Sequence, residues 1–433
     1  MVILIGGIFV RHRKYKESEL GLIWENWSIV QLSEVAEIVS GGTPSTKKEE
    51  YYGDEISWIT PKDLSGYDKK YISKGERSIT KAGLDNSSAK LLPKDTILFS
   101  SRAPIGYVAI AKNQLSTNQG FKNLICDTQK VDIQFMYYKM KSLKNELELI
   151  AGGSTFKEVS GKVLKEFKIK LPSLLEQKKI GEILSSLDKK IELNNEMNKT
   201  LEEMAQALFK RWFVDFEFLN EEGKHYKSSG GEMVESELGM IPKAWKVKNL
   251  EDISTVTMGV SPSSNSYNED KVGLPLLNGA ADFEGKLIKP SKYTSEPKKV
   301  CKCGDMIFGV RATIGNTVFA DKEYALGRGV ASVSPKNDMF REFIYFCLNS
   351  SMNKLINSAS GSVFLNLKKA DITDLKLCYS DVVINKFNKI AKELINKVIV
   401  NDIESEILKQ QRDSLLPKLM NGEIRVDNVE TDI

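Results

Sequence analysis

The sequence predicts an α+β protein in which two pseudo-symmetric α+β domains are joined by two long helices that pair as an antiparallel coiled coil. Three observations carry that expectation. A block of sequence occurs twice in the same internal order, with Trp27 and Trp245 standing 218 positions apart. Each copy begins with short β-like runs separated by Gly, Pro and Asn turns, the pattern of a compact mixed domain. Each copy ends in a stretch whose apolar residues recur at alternating steps of four and three, the spacing of a coiled-coil helix.

The repeat opens with Glu17-Ser-Glu-Leu-Gly-Leu-Ile-Trp-Glu-Asn-Trp27, answered by Glu235-Ser-Glu-Leu-Gly-Met-Ile-Pro-Lys-Ala-Trp245. Val30-Gln31-Leu32 then matches Lys248-Asn249-Leu250, and Gly42-Thr43-Pro44-Ser45 matches Val260-Ser261-Pro262-Ser263. Residues 95–106 answer 305–315, Gln119-Gly120 answers Arg328-Gly329, and Gly153-Ser154-Thr155-Phe156 answers Gly361-Ser362-Val363-Phe364. One large unit has been duplicated in tandem; this is not a solenoid of short repeats.

Taken in order, residues 1–23 read as an N-terminal extension. The apolar run of residues 1–10 is far shorter than the ~20 needed to cross a bilayer. Its charges, Arg11 to Lys14, follow the run, whereas a secretory signal places them before it. Residues 24–172 form the first domain, with β runs at 96–99 and 107–111 and a helix over 133–149. Residues 173–219 form the central helix after Pro172, and its seam runs Ile180, Leu184, Leu187, Ile191, Asn194, Asn198, Leu201, Ala205, Leu208, Trp212. Residues 220–238 are a turn-rich linker. Residues 239–380 form the second domain, with β runs at 305–308 and 317–320 and a helix over 341–357. Residues 381–425 form the C-terminal helix, with the seam Phe387, Ala391, Leu394, Val398, Asn401, Ser405, Leu408, Arg412, Leu415, Leu419. Residues 426–433 are a tail.

Both seams turn polar at their centres, at Asn194 and Asn198 and at Asn401 and Ser405. A buried polar seam residue lowers stability and fixes register. Two amphipathic helices each lying only on their own domain is the simpler alternative; matching polar centres favour helices that pair with each other. The polar layers coincide in either direction. A parallel pair would crowd both domains at one end, whereas an antiparallel pair holds them at opposite ends about a pseudo-twofold axis. It also sets Asn198 opposite Asn401.

Composition excludes several classes of function. With 62 Lys+Arg against 58 Asp+Glu in 433 residues, the chain is no polycation, so a nucleic-acid surface requires local segregation of charge. Two histidines, His12 and His225, leave almost nothing for a Ser-His-Asp triad or a His-rich metal site. The five cysteines are an odd number without a dense framework, which points to a reducing cytoplasm. Cys301 and Cys303 form the one close pair and lack the second pair a zinc site needs, so no metal is expected. The sequence contains no Gly-x-x-x-x-Gly-Lys phosphate loop, no dinucleotide fingerprint and no Asn-Pro-Pro-aromatic motif of adenine methyltransferases, so no catalytic residue is expected. No stretch is long and apolar enough for a membrane span.

Several segments together carry a specific resemblance: the Glu-Ser-Glu-Leu-Gly-x-Ile opening, Trp58-Ile-Thr-Pro-Lys-Asp-Leu64, Ser101-Arg-Ala-Pro-Ile-Gly106, Leu171-Pro-Ser-Leu-Leu-Glu-Gln-Lys-Lys-Ile-Gly181 and Leu208-Phe-Lys-Arg-Trp-Phe-Val-Asp-Phe216. From about Lys16 to Val426 the chain resembles the specificity subunit of type I restriction-modification enzymes. The resemblance implies two target-recognition domains, each reading one half of a bipartite, asymmetric double-stranded DNA site. It implies helices that set the gap and dock modification (methyltransferase) subunits, two in number, together with a restriction (endonuclease/translocase) subunit. S-adenosylmethionine, ATP and magnesium would belong to those partners and no cofactor to this chain. The sequence departs from the pattern at Trp24, where the second copy has Pro242, and at the degenerate Leu377-Cys-Tyr-Ser380 before the last helix; residues 1–15 have no counterpart.

The repeat also sorts candidate DNA-binding residues. Two domains reading different half-sites must differ where they touch base edges, and can agree where they touch phosphate or form the frame. Arg102 and Arg311 are shared, each after a strand and four residues before a Gly, and fit a phosphate contact or a structural ion pair better than base reading; Ser101 precedes the first. The differing candidates are Thr60 and Lys62 against Asn278, Asn118 and Gln119 against Arg328, and Thr155 and Lys157 against Asn366. Asn and Gln can pair bidentately with adenine, Arg and Lys with guanine. Each of them could equally be an ordinary surface polar residue. The Gly152-Gly153-Ser154 turn could present backbone N–H groups to phosphate, or simply be a tight loop, and Ser362, which answers Ser154, is a further DNA-binding candidate. A second reading of the whole chain is a non-enzymatic coiled-coil scaffold joining two protein-binding domains. Salt-dependent DNA binding discriminates the two, since phosphate contacts release counterions.

Overall fold

The computed structural model describes residues 15–102, 104–153, 157–311, 313–358 and 366–426. Those residues fall into two compact units, one running up to Glu192 and resuming at Ile407, the other Leu193–Glu406. Each unit contains part of the central helix, Leu174–Phe213, and part of the C-terminal helix, Asp381–Asn421.

The first unit starts with a hairpin, Tyr15–Lys16 against Ile23–Trp24, and a clip of two antiparallel strands, Ser28–Gln31 and Lys168–Leu171. Its main sheet runs Ala36–Ser40, Phe121–Cys126, Ile97–Ser100, Val108–Ala111, with Tyr71–Ile72 parallel at the edge. A smaller sheet places Tyr52–Ile59 between Ser116–Thr117 and Arg77–Ile79. Strand Ile97–Ser100 is apolar on both faces because both are covered. Ile97 and Phe99 meet Phe135, Met136 and Tyr138 of the helix Ile133–Ser142, while Leu98 joins Ile59, Leu92 and Phe121 on the other side. The result is helix, sheet, sheet. The helix expected over 133–149 is two helices, Ile133–Ser142 and Lys144–Leu149, broken at Leu143.

The second unit repeats this plan with different strand counts in its sheets, four in the main sheet against five in the first unit. The hairpin is Met233–Ser236 with Gly239–Pro242, and the clip is Lys246–Asn249 with Lys376–Tyr379. The main sheet runs Ser254–Met258, Val330–Pro335, Met306–Gly309, Gly315–Phe319. In the second sheet, here of five strands, Leu274–Leu277 lies parallel to Tyr324–Leu326 and antiparallel to Lys292–Thr294. Met306 and Phe308 face the helix Arg341–Ser358, and Ile307 faces Leu277 and Leu326. The end of the central helix contributes an aromatic cluster, with Phe209 and Phe213 packed on Phe343 and Phe387. At the matching point of the first unit, the end of the C-terminal helix buries Leu419 and Met420 instead.

Within each unit the two long helices run antiparallel. In the second unit Asn401 Nδ2 donates to Asn198 Oδ1 (2.8 Å), Asn198 Nδ2 donates to Asp402 Oδ1 (2.6 Å), and Asn194 Nδ2 donates to Glu404 Oε2 (2.8 Å) and Ser405 Oγ (3.3 Å). Partners fall in number on one helix as they rise on the other. In the first unit Asp188 meets Arg412 at 2.6 Å. Ile191, Asn194, Asn198, Val398 and Asn401 are buried, and Leu187, Leu201, Leu394 and Leu408 half-buried. The polar centre satisfies its amides with side chains of the opposite helix, which is how such a layer selects one register. No described helix is long and apolar enough to cross a membrane.

Candidate nucleic-acid interface

In each unit one loop cluster gathers at the end of the main sheet, held by backbone hydrogen bonds that repeat. In the first unit Gly41 N–H donates to Phe121 O (3.2 Å), Gly42 to Thr117 O (2.9 Å), Asn118 to Ile59 O (2.9 Å), Ser101 to Gly120 O (2.8 Å) and Val159 to Ser101 O (2.9 Å). In the second, Gly259 donates to Val330 O (3.0 Å), Val260 to Leu326 O (2.8 Å), Gly327 to Leu277 O (2.8 Å), Val310 to Gly329 O (3.0 Å) and Leu367 to Val310 O (3.0 Å). Each bond of one cluster has its counterpart in the other. The approach is close enough to require glycine: a Cβ on Gly41 would sit 1.9 Å from Asn118 O, and one on Gly259 2.1 Å from Gly327 O.

The cluster brings together most of the residues singled out in the sequence. Gln119 and Arg328 are exposed at equivalent turns. Gln119 Oε1 accepts from Thr43 Oγ1, and Arg328 N–H donates to Ser261 Oγ (3.4 Å), so the Gly-Thr-Pro-Ser match supports the same turn in both units. Asn118 is half-buried and its Oδ1 accepts from Gly120 N–H (2.9 Å), a structural use of that amide oxygen. Thr60 Oγ1 donates to Asp63 Oδ2 (2.7 Å), closing the turn Pro61–Leu64, and Lys62 reaches Glu76 at 2.7 Å on the surface. Asn278 and Lys157 are exposed. Ser101 is a correction. Its side chain is fully buried, and its hydroxyl donates to Gly120 O (3.3 Å), so it belongs to the frame rather than to a ligand-facing surface. Ser154, Thr155 and Ser362 lie outside the described residues.

The shared arginines occupy the same place with different company. Arg102 donates from Nε (3.1 Å) and Nη2 (2.7 Å) to Glu158 Oε2, while Lys122, nearly buried beneath, reaches Glu158 Oε1 at 3.2 Å. Burial pushes the Glu158 carboxyl up, but hydrogen bonds and charge from Arg102 and Lys122 outweigh it and hold the carboxyl below its usual range. In the second unit Arg311 Nε donates to Asn366 Oδ1 (3.3 Å), and Ala331 stands at the strand position of Lys122. Among the described residues Arg311 has no carboxylate partner. Glu158 and Lys122 were not legible as site residues. Glu158, one residue beyond Lys157, is the position that answers Asn366, as Val159 answers Leu367 in the backbone frame.

No group of three or more His, Cys, Asp or Glu among the described residues could hold a metal ion. The described cysteines are free, and burial raises the Cys301 thiol to about 12 and pushes the Cys347 thiol well up too, which makes them poor nucleophiles.

Comparison with known proteins agrees with the repeat and with the fold. The family model of the type I restriction modification DNA specificity domain matches twice, over residues 24–203 and 242–409. The type I restriction enzyme MjaIX specificity subunit of Methanocaldococcus jannaschii is 36% identical over 96% of this chain and 98% of its own. The HindI specificity subunit of Haemophilus influenzae is 24% identical over 95% and 99%. Among solved structures, the S subunit of a type I restriction-modification system from M. genitalium superposes with a TM-score of 0.60 at 19% identity, covering 91% of this chain and 96% of that one, a likeness of fold. With the family model matching both copies of the repeat, the chain belongs to the type I restriction modification DNA specificity domain family.

Proposed function

We propose that this chain is the sequence-specific DNA-recognition subunit of a type I restriction-modification complex, in which residues 24–172 and 239–380 each read one half of a bipartite, asymmetric site. The duplicated loop cluster carries the reading. A backbone frame that repeats bond for bond while its exposed side chains change suits two readers of different sequences, because frame and phosphate contacts position a protein and base contacts specify. Gln119 suits adenine and Arg328 guanine. Lys157 and Asn278 are exposed enough to take part, and Thr60, Lys62 and Asn118 shape the loops around them. Residues 173–219 and 381–425 act as the spacer that sets the gap, with 220–238 as the linker.

The helices also dock two copies of a modification subunit. Supporting this, Leu175, Ile183 and Leu193 are exposed apolar residues on the central helix, and Val382, Ile390 and Val400 stand exposed on the C-terminal helix, each 207 positions further on. Exposed apolar positions that recur with the repeat fit one kind of partner bound twice. Methyl transfer from S-adenosylmethionine belongs to those subunits, and ATP- and magnesium-dependent translocation and cleavage to a restriction subunit. This chain is non-catalytic and acts in the cytoplasm on double-stranded DNA. A protein-binding scaffold is the weaker reading, since a scaffold gives no reason for the loop frame to be kept and its side chains changed.

Purified alone, the chain should neither cut nor methylate DNA; with its modification subunit and S-adenosylmethionine it should methylate. Binding by that complex should weaken with salt at ~0.9 log units per phosphate contact per log unit of salt. Methyl transfer by the isolated chain, or salt-independent binding, overturns the proposal.

A further inference from the structure

The turn between strands Phe283–Glu284 and Leu287–Ile288 reaches both long helices within the second unit. Lys286 N–H donates to Asp402 Oδ2 (3.0 Å) on the C-terminal helix. Its ammonium pairs with Glu202 Oε1 (3.0 Å) on the central helix and donates to Tyr345 OH (2.9 Å) on the domain's own helix. Lys289 extends the contact, pairing with Glu406 Oε2 at 2.6 Å and with Glu284 at 2.7 Å. Gly285, at φ +58, brings the turn so close that an added Cβ would lie 3.1 Å from Asp402 Oδ2.

The far end of this chain of contacts is the polar centre of the seam. Asp402 accepts from Asn198, and Asn198 accepts from Asn401. The layer that fixes helix register is therefore continuous, through one carboxylate, with a hairpin of the recognition domain. Contacts at Glu202, Asp402 and Glu406 span both helices and a full turn of one of them, which resists sliding as well as rolling. The first unit has a lysine in a similar role. Lys70, buried before the strand Tyr71–Ile72, donates from its N–H to Glu192 Oε1 (3.3 Å) and from its ammonium to Ser185 Oγ (2.8 Å) on the central helix and Gln134 Oε1 (3.0 Å) on the domain's helix. In both units a lysine uses its backbone and its side chain together to tie domain to helix.

We infer that Lys286, with Lys289, is a positioning residue that fixes the second recognition domain on the paired helices, so that the seam register becomes a defined gap between half-sites. The inference rests on the DNA-reading function proposed above. Neither lysine lies in the loop cluster that would touch DNA, so its removal separates gap from half-site reading.

The test uses the full chain in complex with its modification subunit. DNA fragments carry the native half-sites, once mapped, at the native gap and at gaps one and two base pairs shorter or longer. For Lys286→Met and Lys286→Met/Lys289→Met, preference for the native gap over its neighbours should fall about tenfold, the scale of one lost charge-assisted contact. Affinity for a fragment bearing only the second half-site should stay within about twofold, and Lys286→Arg, which keeps the charge, should restore most of the preference. Asp402→Asn, of nearly identical shape, serves if the methionine variants lose their circular-dichroism signal. A folded variant with wild-type gap preference overturns the inference, as does an equal loss on the single half-site. Failure of the wild-type complex to bind any half-site would instead count against the functional reading itself.

Discussion

Replacing Glu158 with Gln separates what the first unit's arginine does for the fold from what it does for DNA. The carboxylate is shared by Arg102 at 2.7 Å and Lys122 at 3.2 Å, and the Lys122 side chain is only 9% exposed. Breaking a buried ion pair by removing one partner costs about 3–5 kcal/mol. Glu158 is itself 27% exposed, and the Gln carbonyl still accepts one bond, so about 2 kcal/mol is the expected loss. For a unit of this size that lowers Tm by about 4–8 °C at pH 7. The loss must depend on pH. Because the folded-state pKa of Glu158 is depressed, its contribution is complete above the unfolded carboxylate pKa and vanishes as pH falls through the folded value. The difference in stability between wild type and Glu158→Gln should therefore be full at pH 7 and shrink steadily on acidification below the ordinary carboxylate range. At the same time one negative charge leaves the loop cluster and Arg102 loses its clamp. DNA affinity should rise, and the salt dependence should steepen by up to ~0.9 in slope if one phosphate contact is gained. Asn366→Asp should do the reverse to Arg311. Thermal melts from pH 7 downward, with salt titrations of DNA binding by the assembled complex, test both. A stability gap independent of pH, or DNA affinity that falls with Glu158→Gln, refutes the reasoning.

Gln119→Ala and Arg328→Ala should each relax one half-site only, costing about 1–3 kcal/mol on the cognate base pair, read from binding to fragments altered one base at a time. Uniform weakening on every sequence would mark either residue as a phosphate contact. Gly41→Ala and Gly259→Ala should each displace one recognition turn, at an overpacking cost of about 1–3 kcal/mol in stability. In each case affinity should drop for a fragment carrying that unit's half-site and stay unchanged for one carrying the other.

The parts of this molecule written in local periodicity were legible from sequence. The duplicated opening and the four-three spacing follow from the sequence itself, and Asn198 faces Asn401 once an antiparallel direction is chosen, because a heptad seam tells which residues meet. Strand runs were legible too, as short β-like stretches bounded by Gly, Pro and Asn turns. Partners chosen by the tertiary fold were not. Glu158 is 56 residues from Arg102 and matters only because a crossing segment returns beside strand Ile97–Ser100. Ser101 reads as a surface serine beside an arginine, yet the sheet buries it. The clamp at Lys286 sits in an unremarkable charged turn, and its partners Glu202, Tyr345 and Asp402 are distant along the chain, so local periodicity does not point to it.

The central claim is that the two α+β units read two halves of one DNA site independently. Exchanging residues 24–172 for the equivalent domain of a relative with known specificity, and mapping methylated bases across a genome with the reconstituted complex, tests it most directly. A hybrid site is expected, in which one half changes to that of the donor while the other half is retained. Loss of both halves, or methylation of the original site without change, would contradict it.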